Sequence, residues 1–409
     1  MSKHVYTLLS RFMPDRYSIG IEITDHAVKT VEMELKSRRN PHILCYGSES
    51  LPLNCVDDGK IIEPYKVIQS IQTLFARLNI KSKRVHLVVP SQSIMVRFLK
   101  LPDIPLKDLR KLIDFEVKHN IHLPFENPVY DFVKLNGSER PAKKSSKPPK
   151  KDSGAASLAE PDLLGLREAA STSNFGLDLK GINLFGEDTS APEETPEAVQ
   201  CDVMLVAGPK ELIEQYLEII RSAGLKPISM EFKALSLYRL MEKTEFADPK
   251  ATCLVVDINE NVTDISIFHD CLLKITRTVP IHFKKPADPQ QTSDTPIPPE
   301  EEVSLFSLFQ SNDKESEFTA SCSDLAHELE RLMNFYRYTL NNRNQEFSRI
   351  VLSGDVVRLH DIEVYLRERL NMEVTVAYSP GIKTDDGLLE HAFPAMAVPI
   401  GLALRGRET

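Results

Sequence analysis

A chain of 409 residues is too long for one compact core, so two lobes or more are expected. Its net charge of −9 and pI near 5.7 argue against a dedicated nucleic-acid binder, which would carry a basic stripe. The six cysteines (Cys45, Cys55, Cys201, Cys253, Cys271, Cys322) are scattered without a Cys-x-x-Cys pair, which argues against a zinc site or a disulfide frame and for buried free thiols. No run reaches the ~18 apolar residues of a membrane span. The best candidate, Ala392 to Leu404, is shorter and holds Pro394 and Pro399. Residues 1–16 lack the apolar stretch of a signal peptide and read as a frayed tail, with a short amphipathic turn through Tyr6, Leu9 and Phe12 as the alternative. The chain reads as cytosolic.

In chain order, Ile19, Ile21 and Ile23 alternate with smaller or polar residues and predict a strand, and Val28, Val31 and Met33 begin a second. Between them Thr24, Asp25 and His26 make a turn short enough for a hairpin. A third strand over 43–50 and an amphipathic helix over 62–78 follow. Strands are expected at 85–90 and 94–99, a helix after Pro105 with Leu109, Leu112, Ile113 and Val117 along one stripe, and a strand at 129–135.

Residues 136–199 change character. Lysine, serine and proline dominate first, then acid and proline. Fixing each residue costs about 1–2 kcal/mol of backbone entropy, and so little apolar surface does not offset it. A disordered insertion is expected, with a short apolar patch at Phe175 to Leu179. Beyond it come a strand at 201–208, a helix ending at Gly224, a strand at 226–232 and a helix to about 243. A three-strand meander covers 252–279. A second polar insertion is expected over 284–320, then a helix over 325–340 with Leu325, Leu329, Leu332, Phe335 and Leu340 inward. Strand 348–354, helix 360–370, strand 374–377 and a final helix from about Phe393 complete the order. Repetition of hairpin, helix and strand implies an α/β architecture of duplicated lobes with a small inserted subdomain.

The chain resembles one family, PilM, the cytosolic actin-like protein of type IV pilus and competence-pilus assembly. The resemblance runs through Gly20-Ile-Glu-Ile with Val28-Lys29, Val89-Pro90, Leu101-Pro102, Phe115-Glu116 and the stretch Asn120 to Phe132. It continues through Val206-Ala207, Lys210-Glu211, Ala223 to Pro227, the Asp257 segment, Glu328 to Tyr336, Ile350 to Gly354, Pro394-Ala395 and Gly401 to Arg405. Each landmark is weak alone; the ordered set is specific. It implies the actin-like ATPase fold, divided as follows: a tail 1–16, a first lobe 17–84, an inserted subdomain 85–208 containing the 136–199 insertion, a return to the first lobe at 209–245, a second lobe 246–380 with the 284–320 insertion, and a C-terminal helix and tail 381–409.

An actin-like site implies Mg-ATP held between two phosphate hairpins and an adenosine turn. In the first hairpin the resemblance points to Glu22, Thr24, Asp25 and Lys29; in the second to Asp257, Asn259 and Thr263; at the ribose and adenosine side to Glu328, Gly354 and Asp355. Glu22 and Asp257 are the expected holders of the magnesium or its waters. Against this, Asp25 and Glu260 place carboxylates in both turns, and a carboxylate about 4 Å from a phosphate oxygen is repelled by roughly 4 kcal/mol at an effective dielectric near 20. Asn259 and Asp355 stand where the family carries glycine. Two readings stay open: weakened or lost nucleotide binding on a retained fold, and slow ATP binding that locks the lobes. No residue stands out as a water-positioning base.

The resemblance further implies a scaffold at the inner face of the membrane. It would bind the cytosolic tail of a PilN-type membrane protein as an extended peptide between the first lobe and the inserted subdomain. Val96, Phe98, Leu101, Leu112 and Phe115 are the candidate lining residues. Contact with the pilus assembly ATPase or platform protein is a further expectation, and membrane contact would be indirect through the partner. The alternatives are an active actin-like ATPase, a sugar-kinase relative, and a filament-forming protein of the FtsA kind; the short polar tail from Arg405 counts against the last. His119 and His122 sit three apart at a helix end without a third metal ligand, where a histidine suits the helix dipole.

Overall fold

The computed structural model describes residues 17–35, 41–135, 199–242, 251–270, 272–283, 305–339, 342, 345–384 and 389–405. The expectations for 1–16, for 136–198 and for 284–304 lie outside them.

The chain opens with β1 (Tyr17–Ile23), β2 (Ala27–Glu34) and β3 (His42–Ser50), then a small ribbon, β4 (Val56–Asp57) and β5 (Lys60–Ile61), then helix α1 (Pro64–Arg77) and β6 (Arg84–Val89). Next come β7 (Met95–Pro102), α2 (Leu106–His119), β8 (Pro128–Lys134) and β9 (Gln200–Pro209). Helix α3 (Lys210–Ser222), β10 (Lys226–Phe232) and α4 (Lys233–Met241) follow. The second half holds β11 (Thr252–Ile258), β12 (Thr263–His269), β13 (Leu272–Val279), α5 (Leu305–Tyr338), β14 (Phe347–Gly354), α6 (Leu359–Leu370), β15 (Val374–Val376), β16 (Lys383–Thr384) and α7 (Leu389–Leu404).

Two large sheets repeat one plan. The first runs β10-β6-β1-β2-β3-β16 and the second β13-β12-β11-β14-β15. In each, an antiparallel meander of three strands is extended beyond its first strand by two parallel strands, so β1 corresponds to β11, β2 to β12 and β6 to β14; in the first sheet β16 also pairs parallel with β3. Strand β6 is bonded between β1 and β10, so the segment from position 85, expected to open the inserted subdomain, lies in the first lobe's sheet. The subdomain's own sheet is β7-β9-β8, covered on one face by α2 through Leu99, Leu101, Leu109, Ile113, Phe132 and Leu205.

Helices α4 and α7 lie between the two large sheets. One core joins Val31, Met33 and Phe232 of the first sheet to Leu237 and Leu240 of α4, to Phe393 and Ile400 of α7, and to Val255, Phe268 and Leu273 of the second. Gly20 permits this approach: a Cβ there would stand 2.0 Å from the Pro399 carbonyl oxygen of α7. The apolar run from Ala392 is therefore core, and no described helix is long and apolar enough to cross a membrane.

Three expectations are corrected here. Helix α5 begins at Leu305, inside the stretch expected to be a polar insertion over 284–320. Its 315–320 portion is tied down, with Arg358 bonded to Glu315 and stacked 3.8 Å over the Phe318 ring. Further along α5, Tyr336 is buried while Phe335 is exposed, because the inward stripe runs Leu325, Leu329, Leu332, Tyr336. Arg405, read as the start of a polar tail, is 1% exposed. It shares the fully buried carboxylate of Glu231 with Arg239, at 2.9 Å and at 2.7 and 2.9 Å respectively.

Candidate functional site

The two hairpins, β1–β2 and β11–β12, point their turns at each other. The same sequence spacing separates Glu22 from Asp257, Asp25 from Glu260, His26 from Asn261 and Lys29 from Asp264. Register reproduces the match: Glu22 faces Lys29 across the first hairpin, and Asp257 faces Asp264 across the second. The turns touch at their equivalent residues, Asn261 Nδ2 lying 3.0 Å from His26 Nε2. The segments around Glu22, Asp257 and Gly354 therefore converge on one crevice.

At its centre sits a residue that the sequence reading missed. Lys233, the first residue of α4, places its ammonium 3.1 Å from Asp257 Oδ2, 3.2 Å from Asp264 Oδ2 and 3.4 Å from Glu22 Oε1. The Asp257 contact is a hydrogen bond; the other two carboxylate oxygens are held by charge without an aligned bond. Lys29 reaches across the crevice to Asp355 Oδ2 at 3.0 Å and lies 3.9 Å from Glu22. Glu22, Lys29, Asp257, Asp264 and Lys233 are all buried.

The electrostatics follow from burial set against pairing. Burial alone would lower the pKa of Lys233, but Asp257, Asp264 and Glu22 overcome it and hold it well above the ordinary lysine value. Lys29 is likewise raised: burial opposes its charge, and Glu22 and Asp355 outweigh burial. Burial pushes Glu22 above the usual carboxylate range despite both lysines. Asp257 feels the same burial but ends below its ordinary value, through Lys233, Lys29 and hydrogen bonds from Asn259 and Ser353.

Other expected site residues have structural tasks. The Thr24 hydroxyl accepts the Ala27 N–H at 3.0 Å and donates to its carbonyl at 3.1 Å, closing the first turn. Asp25, weighed as a group repelling phosphate, accepts the Gly59 N–H at 3.1 Å and so ties the turn to the β4–β5 ribbon. Thr263 Oγ1 and Asn259 Oδ1 are buried without a hydrogen-bond partner. Gly354 ends β14 with φ +117°, where a Cβ would lie 1.9 Å from the Ile258 carbonyl oxygen. Glu328, expected at the ribose, is bound to Arg277 at 2.7 Å and Arg331 at 3.2 Å and does not line the crevice.

The crevice between the turns holds a cavity of about 40 Å³, lined in part by Thr24, His26, Lys233 and Asn261. Small-molecule pockets are commonly about 300–1,000 Å³, so this cavity by itself is too small for a nucleotide. A divalent cation takes carboxylate oxygens at about 2.0–2.6 Å. With the Lys233 ammonium seated among Glu22, Asp257 and Asp264, these residues do not fit one.

The five candidate lining residues for a partner peptide do not share a face. Leu101 and Leu112 pack into the subdomain core; Val96 and Phe98, of opposite parity to Leu101 along β7, face away from α2. Phe115 is exposed on α2 with its ring 4.5 Å from that of His119. Val96 instead lines a cavity of about 300 Å³ with Ile94, Gln92, Thr276, Thr278 and Pro280, between the start of β7 and the end of β13. Phe98 is 43% exposed, and β7 is an edge strand among the described residues.

Compared with known proteins, residues 20–147 match the family model of the type IV pilus assembly protein PilM. A solved PilM-PilN type IV pilus biogenesis complex matches at TM-score 0.66 and 19% identity, covering 96% of this chain and 99% of that one. Weaker matches include the ethanolamine utilization protein EutJ from Carboxydothermus hydrogenoformans (12% identity, 96% and 90% covered, TM-score 0.43) and MreB5 of Spiroplasma citri bound to ADP (9% identity, 97% and 97% covered, TM-score 0.43). No curated protein sequence matches. The chain has the actin-like ATPase fold, and its residues 20–147 carry the match to the type IV pilus assembly protein PilM family.

Proposed function

We propose that this protein is a docking scaffold of type IV pilus assembly that captures the cytosolic tail of a PilN-type membrane protein. The observation that carries the reading is the family match over residues 20–147, a span holding the first hairpin and strands β7 and β8. The likeness in fold to a PilM-PilN complex supports the choice of partner. The tail adds as an extended strand along the edge of β7 that no described strand covers, beside Val96 and Phe98, and its side chains enter the cavity between β7 and β13. Glu22, Asp257 and Gly354 then serve the closed form of the body more than catalysis. Nucleotide, where it binds, binds weakly because it must first part an ion-paired crevice. The protein sits at the inner membrane face through its partner.

The test is fluorescence anisotropy with a labelled peptide copying the cytosolic N-terminus of the cognate PilN-type protein. Binding is expected, and Phe98→Asp should weaken it tenfold or more while leaving the melting temperature within about 2 °C, as suits an exposed position. Absence of binding to the folded wild-type chain would refute the reading.

A further inference from the structure

We propose that Lys233 is the resident cation of the crevice: its ammonium bridges carboxylates of both lobes where a divalent metal would otherwise sit, and it closes the body with neither metal nor nucleotide bound.

Three observations converge on this. The first is the mismatch between the two hairpins. In β1–β2 the cross-strand pair is Glu22 with Lys29, which compensates itself. In β11–β12 the equivalent pair is Asp257 with Asp264, two buried carboxylates directly opposite each other, an arrangement that repels. A cation must be supplied from elsewhere, and α4, which follows the first lobe's β10, supplies it.

The second is where Lys233 sits. It is the first residue of α4, at the positive end of the helix dipole, and it is 8% exposed. A buried cation there is opposed both by lost hydration and by the dipole. Three carboxylates at 3.1–3.4 Å are what hold it in that place. One of them, Glu22, belongs to β1, and the other two to β11 and β12, so the contact spans the lobes.

The third is that this bridge is not alone. Lys29 of the first lobe pairs with Asp355 of the second, and His26 meets Asn261 at the turn tips. Each link joins the first hairpin to the second half of the chain with groups that this sequence itself provides.

The test uses the full chain and Mn²⁺ as the probe, followed by electron paramagnetic resonance. Wild type should leave the free Mn²⁺ signal undiminished up to millimolar concentration. Lys233→Met removes the ammonium at similar volume and frees the three carboxylates. Its Mn²⁺ affinity should rise at least tenfold, and adding Asp264→Asn should reverse the gain. Wild type binding Mn²⁺ as tightly as the variant, or a folded variant with no gain, overturns the proposal. A second measurement needs no variant. Hydrogen exchange of wild type in EDTA should already show both hairpins, 22–29 and 257–264, as protected as in MgATP. Protection that appears only on adding MgATP overturns it equally.

Discussion

The buried cluster of Glu231, Arg239 and Arg405 offers the sharpest stability prediction. Glu231 is 0% exposed and closes the end of β10, while Arg239 comes from α4 and Arg405 from just past the end of α7. Burial would raise the Glu231 pKa, but the two guanidinium groups outweigh it and hold the carboxyl below its usual range. Glu231→Gln keeps the shape and removes the charge. It leaves two buried guanidinium groups facing one neutral amide, whose N–H₂ is a donor set against donors. Breaking a buried pair by removing one partner costs about 3–5 kcal/mol. At roughly 2–4 °C per kcal/mol for a unit of this size, the first lobe's thermal transition should fall by about 6–20 °C. Differential scanning calorimetry reads this directly. Arg405→Met placed on Glu231→Gln should recover part of the loss, because it removes one of the two cations that shared the carboxylate. A drop below about 2 °C for Glu231→Gln would refute the reasoning, since it would mean that the arginines reach water when their partner is lost.

Two further predictions concern backbone and proton. Gly354→Ala should destabilise the second lobe by about 3 kcal/mol or more, seen as a lowered urea midpoint, because φ +117° is strained for any side chain and the new Cβ meets the Ile258 carbonyl. His86, held 2.7 Å from the Ser229 hydroxyl on β10, is pushed down to a pKa of about 3 by burial and by Arg405, against about 6.5 when unfolded. The unfolded chain therefore binds the extra proton between those values. His86 contributes fully above pH 6.5 and loses up to about 1.4 kcal/mol per pH unit on the way down to 3. Urea titrations at pH 7.5 and 5 should show a smaller acid loss in His86→Gln than in wild type; equal losses would contradict this account.

Much of the frame was legible because it is local. Alternation at Ile19, Ile21 and Ile23 and the apolar stripe of α2 mark their elements without tertiary help. The convergence of Glu22, Asp257 and Gly354 came from an ordered set of landmarks, not from periodicity. Lys233 was hidden for a physical reason: a lysine at a helix start after an apolar strand reads as solvated, and only the fold brings three distant carboxylates to it. A signal was available in the equal spacing of the two hairpins, which sets Asp264 where the first carries Lys29 and leaves a negative pair in need of a partner. Arg405 escaped similarly, since one charge after a long apolar helix looks like a tail until Glu231 is found beneath it. The five candidate peptide residues could not be sorted by face, because parity along β7 separates Phe98 from Leu101 and depends on which face α2 covers.

The central claim, a docking body that needs no nucleotide to hold its shape, is tested most directly by one titration. The PilN-type peptide is added to the full chain in EDTA and, in parallel, in saturating MgATP. The account predicts binding in both, with dissociation constants within about threefold of each other. Binding that appears only with MgATP would contradict it, and would return the crevice to the role of a nucleotide switch.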